Sequence, residues 1–168
     1  SHAYMRALFK YPLSAFPYEK LRAENAGRGR GDGEYELLDT GVFDGDAYVD
    51  VLVEYAKASP TDILIRITVA NRSSEAAALD LLPTLWYRNT WSWGLSGYRP
   101  SLYAVPSNDG LAAVVAEHRG LGRYHFTCEG APELLFTEND SNAERLFDSP
   151  NDGAYVKDAF HDYVVRGD

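Results

Sequence analysis

Apolar and polar residues alternate with a period of two across Ala47–Lys57 (AYVDVLVEYAK) and again across Asp62–Asn71 (DILIRITVAN). In the first stretch Val49, Val51, Val53 and Tyr55 share one side, and Asp50, Leu52 and Glu54 the other. In the second, Ile63, Ile65, Ile67 and Val69 oppose Leu64, Arg66 and Thr68. A helix would scatter these residues around its axis, whereas a strand puts each set on one face. The linker Ala58-Ser59-Pro60-Thr61 places a proline where a turn favours one. A second polar turn, Asn71–Ala76, leads into Ala77–Asn89 (AALDLLPTLWYRN). The three segments predict a meander of antiparallel strands.

The same grammar continues downstream. Ser101–Ser107 and Leu111–His118 read as strands joined by the turn Asn108-Asp109-Gly110, a strong hairpin signal. Arg123–Gly130 alternates, with Tyr124, Phe126 and Cys128 together, and Glu133–Thr137 (ELLFT) and His161–Val165 (HDYVV) read as further strands. Glu138–Tyr155 is a polar excursion with one helical turn at Asn142–Phe147. Seven to nine strands, with no long helix after Tyr35, predict an all-β chain: an antiparallel, supersandwich-like β-sandwich over residues 35–168. Residues 1–34 form a helical or irregular lead-in. Within it, Ala3–Pro12 fits a short helix or an edge strand. Tyr18–Gly29 has helix formers and ends in glycine. Gly27–Gly33 (GRGRGDG) is a flexible loop, and no internal repeat is present.

A chain of 168 residues suffices for one domain with its own core. The net charge of −9, from 16 basic and 25 acidic residues, argues against nucleic acid and anionic membranes as partners. The imbalance is uneven, since residues 1–30 carry six Lys or Arg against two Glu. One cysteine, Cys128, precludes an intrachain disulfide and fits a reducing compartment. No apolar run approaches the roughly 18 residues of a spanning helix, and no signal peptide is read, so a cytoplasmic protein is expected. Asn71-Arg72-Ser73, Asn139-Asp140-Ser141 and Arg166-Gly167-Asp168 then read as chance matches to secretory or adhesion motifs. The chain opens and closes in mid-pattern, which predicts a piece of a longer protein, with Ser1 and His2 left from cloning.

Most searches for chemistry fail. Gly94–Tyr98 (GLSGY) lacks the second glycine of a nucleophile elbow, and GRGRGDG is not a dinucleotide fingerprint at any register. His2, His118, His125 and His161 are not at ligand spacing, so no metal site or cofactor is expected. The acidic loops around Asp44, Asp46 and Asp50 and around Glu138, Asp140 and Glu144 depart from the helix–loop–helix calcium signature and read as solvated turns. What stands out is Leu81–Gly94 (LLPTLWYRNTWSWG), which holds every tryptophan of the chain. On a strand, Trp86, Arg88 and Thr90 would share one face, and Leu85, Tyr87 and Asn89 the other. The glycines beyond Thr90 then make Trp91, Trp93, Tyr98 and Arg99 a loop. Trp86, Arg88, Asn89, Trp91, Trp93, Tyr98 and Arg99 are the candidate site. One reading is an aromatic plug in a core or against a neighbouring domain. The other is a sugar platform, since sugars bind where aromatic faces meet hydrogen-bonding side chains.

Glu34–Gly94, together with AYMRALFKYP, AFPY, TENDSNAERLF and YVKDAFHDYVV, resembles the amino-terminal β domain of bacterial glucosidases related to glycoside hydrolase family 63, the mannosyl-oligosaccharide glucosidase group. The resemblance runs in order along nearly the whole chain. It implies a β-sandwich seated on a helical (α/α)6 barrel that carries the acid and base carboxylates of an inverting glycosidase. No helix pairs of such a barrel occur here, so no catalytic residue is carried over and this chain is expected to be inactive by itself. The partners implied are the catalytic barrel of the same protein and an oligosaccharide. The competing expectations are a stand-alone carbohydrate-binding module and a pure interaction domain. An exposed docking face would also favour a homodimer of the isolated chain.

Overall fold

The computed structural model describes residues 2–107 and 110–168. The chain is mostly β, with two antiparallel three-stranded sheets, each in its own compact unit, residues 1–79 and 80–168. Among the described residues six strands form, fewer than the seven to nine expected.

The first unit contains β1 (Tyr4–Pro12), β2 (Tyr48–Ser59) and β3 (Asp62–Asn71), in the order β1-β2-β3. The period-two stretches of the sequence are β2 and β3, and their register pairs Val51 with Val69, Val53 with Ile67 and Tyr55 with Ile65. Of the two forms open to residues 3–12, the chain takes the edge strand: Leu8 lies opposite Leu52 and Phe9 opposite Val51. The turn after β2 is tightened by Ser59, whose Oγ accepts from the Thr61 amide at 3.3 Å, and the β2–β3 register shifts between Lys57 and Ser59.

One carboxylate holds the three strands in register. Asp50 on central β2 is buried. It accepts from Lys10 Nζ of β1 at 2.9 Å and from Arg72 Nε, just beyond β3, at 2.7 Å. Farther along the same face, Glu54 accepts from Tyr4 Oη at 2.6 Å and Arg66 Nε at 2.8 Å. Hydrogen bonds from Lys10 and Arg72 hold the Asp50 carboxyl below the usual carboxylate range, and those from Tyr4 and Arg66 do the same for Glu54. Asp50 is therefore committed to two cations of its own sheet.

The predicted helix forms as α1 (Tyr18–Ala26). Its last turn carries Asn25, whose Oδ1 accepts from the Tyr35 amide at 2.8 Å while its Nδ2 donates to the Tyr35 carbonyl at 3.0 Å. Those two bonds close the glycine-rich loop between them.

The second unit contains β4 (Ser101–Val105), β5 (Leu111–His118) and β6 (Gly122–Glu129), ordered β4-β5-β6. Asn108 and Asp109 of the expected β4–β5 turn lie outside the described residues. Central β5 buries consecutive residues, Val114, Val115 and Ala116, so it is covered on both faces there. Tyr124, Phe126 and Cys128 alternate along β6 as the sequence predicts.

Three expected strands do not form. Ala77–Asn89 belongs to no sheet among the described residues: Pro83 removes a donor from the middle of the run. Glu133–Thr137 is likewise irregular. His161–Val165 enters a π-helical turn, Asp162–Arg166, closed by Gly167 at φ +75°. The helical turn expected near Asn142–Phe147 is α2 (Ala143–Phe147), with Asn142 as its N-cap accepting from the Arg145 amide at 3.0 Å.

Replacing Asp50 by Ala strands Lys10 and Arg72 together. Thermal unfolding followed by far-UV circular dichroism is expected to show a lower midpoint for Asp50→Ala than for the parent at pH 7. Because the folded pKa is depressed, this contribution is present above the usual carboxylate pKa and is lost as pH falls through the lowered value. The parent should lose stability on acidification more steeply than Asp50→Asn.

Candidate functional site

The tryptophan-rich segment is built around a short 3-10 turn, Trp91–Trp93. Just ahead of the turn, Asn89 Oδ1 accepts from the Ser92 amide at 3.1 Å. The turn closes at Gly94, where φ of +72° suits a residue without a Cβ.

This turn is fastened to a distant part of the second unit by one carboxylate, Asp140. Its Oδ1 accepts from Trp91 Nε1 at 2.8 Å and from Asn89 Nδ2 at 3.1 Å, and its Oδ2 from Arg99 Nη1 at 2.6 Å. Asn89 Nδ2 also reaches the Asn139 carbonyl at 2.7 Å, and Asn139 Nδ2 returns to the Tyr87 carbonyl at 2.7 Å. Two chain segments some fifty residues apart are thus cross-linked through side chains rather than a β-ladder. The Arg99 guanidinium lies 5.6 Å from the Trp91 ring centroid and 3.6 Å from Glu138, so one partly exposed cation serves two carboxylates.

Asp140 is itself held firmly. The Glu138 amide donates to the Tyr155 carbonyl at 2.7 Å and the Lys157 amide to the Asp140 carbonyl at 2.9 Å, so residues 138–140 are strapped to 155–157. Next to this strap, Asp158 accepts from Asn142 Nδ2 at 3.1 Å and Arg145 Nη1 at 3.1 Å, and Asn151 Oδ1 receives the Ala143 amide at 2.7 Å. Burial pushes the Asp140 carboxyl up, but the hydrogen bonds from Trp91, Arg99 and Asn89 and the Arg99 charge outweigh it and hold the pKa below the usual range. The Asp158 carboxyl follows the same pattern, raised by burial and lowered further by Asn142 and Arg145. Three donors converge on this carboxylate, two on Oδ1 and one on Oδ2. Asp140 positions its neighbours.

The seven candidate residues separate into three groups. Asn89, Trp91 and Arg99 converge on Asp140. Tyr98 belongs to a second cluster: its ring meets His118 edge-on at 5.5 Å, its hydroxyl accepts from the Arg119 amide at 2.7 Å, and the Arg119 guanidinium lies 4.6 Å from its ring centroid. Tyr87 also packs against this histidine, with ring centroids 5.3 Å apart, and its buried hydroxyl has no hydrogen-bond partner among the described residues. Trp86 and Trp93 are exposed, at 62% and 53%, and the Arg88 guanidinium stands 5.0 Å from the Trp93 ring centroid. The arrangement is a rigid polar base presenting two wet tryptophans, one with a cation against it. Sequence reasoning placed Asp140 in an acidic turn; nothing in its spacing pointed to Trp91.

A curated relative is found in Saccharomyces cerevisiae, the uncharacterized protein YMR196W, which is 33% identical over 201 aligned residues. The match covers 99% of this chain and 18% of the yeast protein, so the chain spans less than a fifth of that relative's length. No family model matches the chain, and no solved structure matches it.

Asp140→Ala leaves Trp91 Nε1, Asn89 and Arg99 without their acceptor. It is expected to destabilise the chain by about 2–3 kcal/mol in urea unfolding followed by tryptophan emission. Trp93→Ala, at an exposed site, should change stability by no more than about 0.5 kcal/mol in the same assay.

Proposed function

We propose that this chain is a non-catalytic β domain of a larger, glucosidase-like protein. In this reading it seats on the catalytic helical barrel and frames the barrel's sugar site with the Trp86–Arg99 segment. The observation that carries the proposal is the unequal treatment of the three tryptophans. Trp91 is clamped to Asp140, while Trp86 and Trp93 of the same segment are exposed. Exposed aromatic rings on a pre-fixed loop are what an interface needs, because little conformational entropy remains to be lost on contact. The chain's match to a relative more than five times the length of the matched part agrees with a domain that works inside a longer protein. The sequence resemblance to the β domain of family 63-like glucosidases supplies the reaction class, inverting hydrolysis of an α-glucoside by carboxylates of the barrel.

A second reading, a stand-alone carbohydrate-binding module, draws on Arg88 beside Trp93: a cation with hydrogen-bond donors next to an aromatic face is a sugar-binding pattern. The two readings part in a direct experiment. In the full-length protein, Trp86→Ala with Trp93→Ala is expected to raise KM for α-glucosyl disaccharides several-fold, or to release the β domain to limited proteolysis. In the isolated chain, tryptophan emission should not respond to glucose or maltose at millimolar concentration. A saturable emission change would replace the first reading by the second. A full-length protein that hydrolyses no α-glucoside, or a double variant indistinguishable from the parent, would overturn the proposal.

A further inference from the structure

The turn between β5 and β6 is held by side chains. Its three amides donate to them: Arg119 N–H to the Tyr98 hydroxyl at 2.7 Å, and Gly120 and Leu121 N–H to His118 Nδ1 at 3.0 and 3.1 Å. Two donors converging on Nδ1 require a lone pair there, so His118 is the neutral imidazole with its proton on Nε2. The same turn grips the tryptophan loop. The Arg119 guanidinium donates to Ser96 Oγ at 3.3 Å, and that oxygen also accepts from the Tyr98 amide at 3.2 Å. Asp140 thus holds the two ends of the loop, Trp91 and Arg99, while the His118 turn holds its middle at Ser96 and Tyr98. Every group in this arrangement belongs to residues 80–168.

We propose that His118 is a pH-sensitive latch on the tryptophan loop: protonation of Nδ1 releases the β5–β6 turn and, through Tyr98 and Arg119, the middle of the loop that presents Trp93. A protonated Nδ1 is a donor facing two amide donors, which lose their acceptor at once. The groups around the ring add to this. Tyr87 and Tyr98 stand 5.3 and 5.5 Å from it, and Tyr124 follows one pair along on the same face of the hairpin. The Arg119 guanidinium is 4.6 Å from the Tyr98 ring centroid, so a charged imidazole sets a second cation beside that ring. Glu117, the neighbouring carboxylate, is taken by Arg123 at 2.7 Å. The latch is closed where imidazole is neutral and opens as pH falls through the range in which histidines ordinarily titrate, from about pH 8 to about pH 5. Asp140, held below the usual carboxylate range by its donors, stays ionised across that interval. Acid therefore frees the middle of the loop while its two ends stay fixed. This inference does not depend on whether the tryptophans meet a catalytic barrel or a sugar.

Nuclear magnetic resonance of the isotope-labelled 168-residue chain tests it. At about pH 8, long-range nitrogen–proton spectra of the imidazole should show His118 Nδ1 without a proton. On titration to about pH 5, the amides of Gly120, Leu121, Ser96 and Tyr98 should move with the His118 ring in one transition. Hydrogen-exchange protection at Gly120 and Leu121 should fall at least about fivefold, as for the loss of one ordinary hydrogen bond. The Trp91 Nε1 proton, bonded to Asp140, should not follow that transition. His118→Asn offers the two amides a side-chain oxygen that does not titrate, so it should keep the high-pH spectrum and abolish the transition. His125→Gln should leave the transition unchanged. Where His118→Asn does not fold, the titration of the parent decides. A proton on Nδ1 at the high-pH end overturns the proposal. So does a transition that survives His118→Asn, or one in which Gly120 and Leu121 move while Ser96 and Tyr98 stay still.

Discussion

Hydrogen bonding along a β-ladder is satisfied without regard to what covers the ladder's faces, and that separation governs this chain. β2 pairs along nearly its whole length with β1 on one side and β3 on the other, and β5 pairs likewise with β4 and β6. Burial is far sparser. Among the described residues the buried apolar side chains are Val49, Val114, Val115, Ala116 and Val156. A backbone so ordered, with side chains so wet, relies on local charge to fix register. Asp50 does this for the first sheet by holding a cation from each side.

The second unit meets a related problem with a different device. A run that fails to become a strand, Ala77–Asn89, still has to be tied down. Asn89, Asn139 and Asp140 do it with side-chain amides and a carboxylate in place of backbone pairs. Such a tie is directional and leaves a local knot around which other groups are arranged. It explains why one tryptophan of the cluster is fixed while the others are presented. Both glucosidase-like framing and sugar stacking draw on that presentation, and the difference between them lies in what stands opposite.

The legible part of the sequence was its local periodicity. Alternation at Val49–Tyr55 and Ile63–Val69 gave β2 and β3 with the correct faces, and Tyr18–Gly29 gave α1. Alternation is necessary for a half-buried strand but does not supply a partner, so Ala77–Asn89 and His161–Val165 carried strand-like residues into other conformations. Pro83 and Gly167 were visible signs against them. The Asp140 knot was not legible at all. A carboxylate some fifty residues from its tryptophan has no local signature, and its neighbours Glu138 and Glu144 made it look like one more solvated acid.

All three tryptophans lie beyond residue 80, so the unit made of residues 1–79 is invisible to indole emission and shows itself only through tyrosine and the peptide backbone. A denaturation curve drawn from tryptophan light therefore describes half of the molecule. Where it coincides with the backbone signal, the two units melt as one cooperative body; where it departs, they unfold separately and the gap reports the difference between their stabilities.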